Sequence, residues 1–298
     1  MPIQASARDL LSVCIITLLG IALALAGGSG GLVQAGVPVF MWCAGLAFGL
    51  NWLVYVPSAF ARTEHYYDLT GGLTYLSVTG LAVVLSQPLD LRSTLVVGMV
   101  SIWAIRLAGF LFVRVKRVGK DIRFDSVKTK PSTFLVWWTL QALWVLTTMA
   151  AALAIVTGGE TVPMSWLGWT GFGVWWFGFA VEVVADAQKS SFKMDPTNRG
   201  QFIRTGLWAW SRHPNYFGEI VLWIGVALMA VPVLTGWQYA TLISPVFVTF
   251  LLMKMSGVPL LEQKADERWG GQEDYEAYKK ATPVLIPRPP RSVPSSQD

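Results

Sequence analysis

Residues 10–61 read LLSVCIITLLGIALALAGGSGGLVQAGVPVFMWCAGLAFGLNWLVYVPSAFA, an unbroken run between Asp9 and Arg62 without one formal charge. A bilayer core takes about 20 apolar residues per helix at 1.5 Å rise each. The run is therefore too long for one membrane helix and suits two. The cluster Gly27-Gly28-Ser29-Gly30-Gly31 divides it. No strand precedes this cluster and no Walker lysine follows, so it reads as a turn between helices and not as a phosphate loop. The predicted spans are 9–27 and 36–57.

The pattern repeats outward from there. Charge-free runs cover 69–89, 131–159, 161–181 and 220–253. Further spans are predicted at 69–87, 93–113, 133–157 and 164–186. The last run breaks at Pro232 and Thr235-Gly236, giving a short helix over 215–231 and another over 237–256. Only 14% of the 298 residues are charged and 53% are hydrophobic, with mean hydropathy +0.49; soluble domains carry about 25% charged residues. The expected fold is an all-α polytopic membrane helical bundle of seven to eight transmembrane helices, eight if the first segment spans. It forms a single integral-membrane domain over 1–298, ending in a flexible tail at 288–298. A signal peptide does not explain the first segment, because apolar segments recur to the end and no A-x-A site follows a basic start. Two histidines, His65 and His213, are too few for a histidine-rich di-iron centre. Cys14 and Cys43 both fall within apolar spans, so no disulfide framework, zinc site or other metal is expected.

Basic residues set the orientation. Segment 114–130 has seven Lys/Arg against two Asp, and segment 187–212 has five against Asp195 alone, whereas 28–35, 158–163 and 232–236 have none. The positive-inside rule puts the two basic segments and the tail from Lys254 in the cytoplasm. The bland reading of 114–130 is topology and contact with anionic headgroups. Segment 187–212 differs, because Glu182 and Asp186 stand one turn apart at the end of the preceding span, and ionisable groups at that depth mark function.

Beyond it runs Arg204-Thr205-Gly206-Leu207-Trp208-Ala209-Trp210-Ser211-Arg212-His213-Pro214-Asn215-Tyr216-Phe217-Gly218-Glu219. Pro214 suits the first turn of a helix, with His213 at the cap. Asn215 and Glu219 share a face at i, i+4, with Tyr216 beside Glu219. A helix start facing a basic loop is a prepared anion site. A carboxylate in its first two turns is instead an acceptor for an amide or hydroxyl, or is paired across helices with Arg106 or Arg212. The pattern predicts a large, partly anionic, partly polar cofactor entering a cavity open to the cytoplasm.

These residues resemble a known superfamily. The run Gly206-Leu207-Trp208 through Ser211-Arg212-His213-Pro214-Asn215-Tyr216-Phe217-Gly218-Glu219 to Trp223-Ile224-Gly225 looks like the C-terminal signature of bacterial membrane proteins related to steroid 5α-reductases. Glu262, Tyr275, Tyr278-Lys279-Lys280-Ala281-Thr282 and Leu285-Ile286-Pro287 match its closing segment. Arg106-Leu107-Ala108-Gly109 with Gly119-Lys120-Asp121-Ile122-Arg123-Phe124 matches more loosely. The resemblance covers 59–287 as a reductase-like core and leaves helices 1–58 outside.

It implies NADPH-dependent reduction of a carbon–carbon double bond conjugated to a ketone, as in 3-oxo-Δ4 steroids. Asn215 and Glu219 would face the nicotinamide carboxamide, with His213 and Tyr216 beside them. Lys193, Arg204, Arg212, Lys264 and Arg268 would meet the phosphates, and Asp186 the ribose hydroxyls or the adenine. Glu64, Tyr67 and Asp68 would polarise the ketone; Trp103, Trp223 and Tyr66 would line the steroid. The segment Asp68-Leu69-Thr70-Gly71-Gly72 lacks the tryptophan usual in bacterial relatives, and Trp103 falls where the family has a tyrosine. The competing reading of His65, Tyr66 and Tyr67 is an interfacial aromatic belt. The competing enzyme is an S-adenosylmethionine-dependent methyltransferase of the isoprenylcysteine carboxyl methyltransferase type, which shares the Arg-His-Pro-x-Tyr run; a non-enzymatic lipid-binding protein is a third class. Expected partners are an apolar enone and membrane lipid, with no nucleic acid and no obligate protein partner, in a bacterial-type inner membrane with a cytoplasmic C-terminus.

Overall fold

A computed structural model of the protein describes residues 6–118 and 124–290. Residues 119–123 of the looser motif, and most of the 288–298 tail, lie outside the described residues.

Eleven α-helices run in chain order among the described residues: α1 Ala7–Gly27, α2 Val39–Ala61, α3 Tyr67–Leu85, α4 Leu91–Val118, α5 Pro131–Thr148, α6 Ala150–Thr157, α7 Trp166–Met194, α8 Pro214–Ala230, α9 Ile243–Phe250, α10 Val258–Trp269 and α11 Glu273–Ala281. The protein is an all-α, multi-pass membrane protein: seven helical segments are long and apolar enough to cross a bilayer, and the bent pair α5–α6 makes an eighth if it counts as one span. The only strands described are β1 (Val33–Gln34) and β2 (Val37–Pro38), an antiparallel pair closing the turn after the glycine cluster.

The chain divides into two compact units, residues 1–169 with 226–244, and residues 170–225 with 245–298. In the first, α1 and α2 pack on α5, and α3 packs against both α2 and α4. Polar residues fasten these helices where apolar contact alone gives no register. Asn51 on α2 donates to Thr74 Oγ1 on α3 at 3.3 Å, and Trp52 to Thr139 Oγ1 on α5 at 3.1 Å. The Asp9 carboxylate accepts from Ser132 and Thr133 at 2.6 and 2.9 Å, in the first turn of α5, where a negative charge meets the positive end of the helix.

The predicted single span 133–157 is broken: α5 and α6 meet at Met149 with a bend of 58°. A bend frees backbone carbonyls that lipid cannot satisfy. Here the Thr148 carbonyl accepts the hydroxyl of Ser244, a residue 96 positions along the chain.

Candidate functional site

The second unit is organised on the packing of α7 against the first turns of α8. A β-carbon placed on Gly178 would lie 2.5 Å from the Leu222 backbone nitrogen, and one on Gly218 would lie 2.6 Å from that of Glu182. No side chain can move aside at such a contact, so the two backbones touch because both positions are glycine. This close approach brings polar residues of the two helices into range. Asn215 Nδ2 donates to Asp186 Oδ1 at 3.1 Å, joining two residues predicted for the cofactor. Glu182, one turn deeper on α7, is 4% exposed.

The segment leading into α8 is fixed from several directions. Gln188 Oε1 accepts the Leu207 amide at 2.9 Å, and the Trp208 indole donates to the Ala185 carbonyl at 3.0 Å. The closing segment braces the other side: the Arg212 amide donates to the Pro283 carbonyl at 2.9 Å, and Ser211 Oγ to the Leu285 carbonyl at 2.8 Å. Tyr278 donates its hydroxyl to the Trp208 carbonyl at 2.7 Å, and burial pushes its phenol above the ordinary tyrosine range.

At the head of α8, one carboxylate answers two cationic or potentially cationic groups. Glu262 on α10 pairs with Arg212, and its Oε1 lies 2.8 Å from His213 Nε2. Burial holds His213 below the ordinary imidazole value, with the charge of Glu262 pulling the other way. A neutral ring donates from Nε2 to the carboxylate, which leaves Nδ1 as a buried acceptor with no hydrogen-bond partner among the described residues. The His213 and Tyr216 rings stack with 5.6 Å between centroids.

A cleft of about 700 Å³ opens beside this triad. Lys189, Lys193, Arg199, Arg212, Lys264 and Arg268 line it, against the carboxylates of Asp195 and Glu262. Asp195 caps the turn that follows α7, accepting the Thr197 amide and hydroxyl at 2.9 and 2.7 Å, contacts that hold its carboxyl below the usual range. With Arg212 on Glu262, the other five cations have no carboxylate partner among the described residues. Phe192, Phe202, Trp208, Trp269, Tyr275 and Tyr278 form the aromatic part of the wall, with Arg268 4.9 Å from the Trp269 ring centroid. An aromatic-walled cleft with unneutralised positive charge is built for an anion carrying a flat or apolar part.

Of the residues predicted for a cofactor, the cleft gathers Lys193, Arg212, His213, Lys264 and Arg268. Asp186, Asn215, Tyr216, Glu219 and Trp223 belong to the same unit but are not lining residues, and Trp223 is 1% exposed. Arg204 is exposed, pairs with Asp274 at 3.5 Å and is not itself a lining residue, though its guanidinium lies 5.6 Å from the Phe202 ring centroid. Arg212, one of the two arginines weighed as a partner for Glu219, pairs with Glu262, 50 residues along the chain. Sequence reading missed Lys189, Arg199 and the aromatic wall as lining residues. The signal for Lys189 was present: it continues the helical face of Glu182 and Asp186.

The predicted ketone-polarising set lies in the first unit. Glu64 takes Lys128 Nζ at 2.8 Å and raises the lysine above its ordinary value. The Tyr67 hydroxyl donates to the Trp137 carbonyl at 3.0 Å, and its ring packs against Phe124 and Trp138 at 4.7 and 5.1 Å. Asp68 is half-buried in the first turn of α3, and Tyr66 is exposed beside the His65 ring. Trp103 is an interior side chain, edge-on to Tyr75 at 5.0 Å.

The profile of the family described as "Protein of unknown function (DUF1295)" matches residues 54–282, and the chain belongs to that family. It is also similar to a "Probable O-methyltransferase ustE" from Ustilaginoidea virens, 32% identical over 102 residues, 34% of this chain and 36% of that protein. The "3-oxo-5-alpha-steroid 4-dehydrogenase 1" of Rattus norvegicus is 30% identical over 118 residues, 40% of each chain. Its counterpart in Macaca fascicularis is 29% identical over 117 residues, 39% of each. The matches thus span well under half the length of these relatives. The resemblance to a superfamily that joins steroid 5α-reductase-like and methyltransferase members is shown by these relatives together. No solved structure matches the chain.

Proposed function

With membership of this family as the premise, we propose that the chain is an NADPH-dependent reductase of the carbon–carbon double bond of an α,β-unsaturated ketone, with a 3-oxo-Δ4 steroid reduced to its 5α product as the substrate class. The observation that carries this reading is the set of unneutralised cations lining the cleft beside the joined Asp186 and Asn215. Pyrophosphate and 2′-phosphate need such cations, whereas S-adenosylmethionine has no phosphate. The residues fit the group on a second count: Asn215 Oδ1 is a buried acceptor with no partner among the described residues, suited to a carboxamide N–H.

When bound, the cofactor supplies a hydride to the β carbon of the enone. The chain's own residues do the rest. Asp186, Asn215 and Glu219 orient the polar end of the nucleotide, and the cleft cations hold its phosphates. Negative charge grows on the ketone oxygen as the double bond is reduced, and a donor aimed at that oxygen stabilises it. Glu64, Tyr67 and Asp68 are the proposed set for that donor, with Glu64 engaged by Lys128 and the Tyr67 hydroxyl by a carbonyl. The basic segments support a cleft that faces the cytoplasm, with the C-terminus on the same side.

The methyltransferase similarity supports a second reading, S-adenosylmethionine-dependent transfer at the same helix start. Titration of the purified protein with both cofactors separates the two. The reductase reading expects NADPH to bind and a 3-oxo-Δ4 steroid to drive its oxidation; binding of S-adenosylmethionine alone overturns it. Glu219→Gln is expected to fold and hold nucleotide while losing turnover by roughly 10²-fold, the size of a lost positioning contact. A stable variant with undiminished turnover removes Glu219 from the site.

A further inference from the structure

Glu182, Asp186, Lys189 and Lys193 occupy positions i, i+4, i+7 and i+11 of α7, which is one face of a helix. Along that face the charge changes sign once, from two carboxylates to two ammoniums, and exposure increases in the same direction. Glu182 is 4% exposed, Asp186 and Lys189 are half-buried, and Lys193 is exposed. Asp186 is bonded to Asn215, and the two lysines line the cleft.

Lys189 is held differently from the other cleft cations. Its Nζ lies 4.3 Å from the centroid of the Trp208 ring. That ring is 3% exposed and its indole nitrogen is tied to the Ala185 carbonyl, while the Trp208 carbonyl takes the Tyr278 hydroxyl. The ammonium therefore rests on a rigid support, and no carboxylate among the described residues pairs with it. Asp186, one turn back, acts on this charge but does not close to an ion pair, and a half-buried charge without a contacting counter-ion is unfavourable in the ligand-free protein, so a fixed one lining a cleft points to an anion supplied by the ligand.

We propose that Lys189 is a ligand-binding residue of the cleft and meets the pyrophosphate of a dinucleotide, while the outer cations Lys264 and Arg268 meet the additional phosphate. The proposal rests on the nucleotide-binding reading of the cleft and adds the direction of the ligand to it. The polar, uncharged end lies toward Asp186 and Asn215, the pyrophosphate one turn further out at Lys189, and the 2′-phosphate outermost.

The test uses the purified full chain, with Lys189→Met and Lys189→Arg, and measures dissociation constants for NADPH, NADH and S-adenosylmethionine together with thermal stability. Loss of a charge-assisted hydrogen bond is expected to weaken NADPH roughly 10- to 100-fold in Lys189→Met. NADH weakens by the same factor, because both nucleotides carry the pyrophosphate. Lys189→Arg recovers most of the affinity, and the ligand-free stability of Lys189→Met does not fall. Should the methionine variant fold poorly, Lys189→Gln carries the same expectation. A loss confined to NADPH overturns the assignment by putting the 2′-phosphate on Lys189. Unchanged NADPH affinity in Lys189→Met overturns it too, while leaving the reductase reading intact. A parent protein that binds S-adenosylmethionine and neither nucleotide overturns both.

Discussion

At the start of α3 the chain neutralises its own charge, and in the cleft beside α7 it does not. Glu64 and Lys128 close on each other at 2.8 Å, and the Tyr67 hydroxyl nearby is committed to a backbone carbonyl. The cleft shows the opposite arrangement, with one of six lining cations paired and five awaiting a counter-charge. Both regions consist of ionisable groups close to apolar spans, so residue type and depth alone do not separate them. The partner does: a charge answered within the chain holds the fold, whereas one left unanswered costs stability until something binds.

The largest effect expected from this contrast is on the cleft. Lys264→Ala combined with Arg268→Ala is expected to weaken NADPH by roughly 10- to 100-fold at low salt, with little change in melting temperature, because both side chains are exposed. Titration at low and high ionic strength checks it, and the parent's affinity should depend more steeply on salt. Unchanged affinity would make these cations a solvated rim and erase the contrast.

Glu64→Gln should do the reverse. Removing one partner of a largely buried pair is expected to lower stability by about 1–3 kcal/mol, seen as a drop of several degrees in melting temperature. The NADPH dissociation constant should stay where it was. The pH behaviour of the pair follows from the raised Lys128 value: its stabilisation is full below the ordinary lysine value and is lost only as pH rises through the folded one. A Glu64→Gln protein of parental stability that no longer reduces enone would move Glu64 from scaffold to chemistry.

The smallest effect concerns His213, where the sign is opposite. Burial lowers its value in the folded state, so the unfolded chain binds more protons once pH falls below about 6.5. Stability is full above that pH and declines below it, by at most about 1.4 kcal/mol per pH unit for one group. Melting curves at pH 7.5, 6.5 and 5.5 measure the decline, and His213→Gln should flatten it. An acid limb that is unchanged in the variant would assign it to other groups.

Much of this protein is legible from local sequence. The helical class and nearly every span follow from uncharged runs measured against bilayer thickness, because lipid forces each spanning segment to satisfy its own backbone. The start of α8 at Pro214 and the stripe from Glu182 to Lys193 are equally local, since helix periodicity fixes which residues share a face. The bend at Met149 is not legible in that way: 131–159 is uniformly uncharged, and the break is answered by Ser244 from far along the chain. The pairing of Arg212 with Glu262 and the placement of Lys189 over Trp208 were likewise decided by tertiary structure. Sequence determines which charges exist and at what depth along each helix. Which of them are cancelled depends on which backbones come close enough to present a partner, and at α7 and α8 that was settled by two glycines, Gly178 and Gly218, whose missing β-carbons let the helices touch.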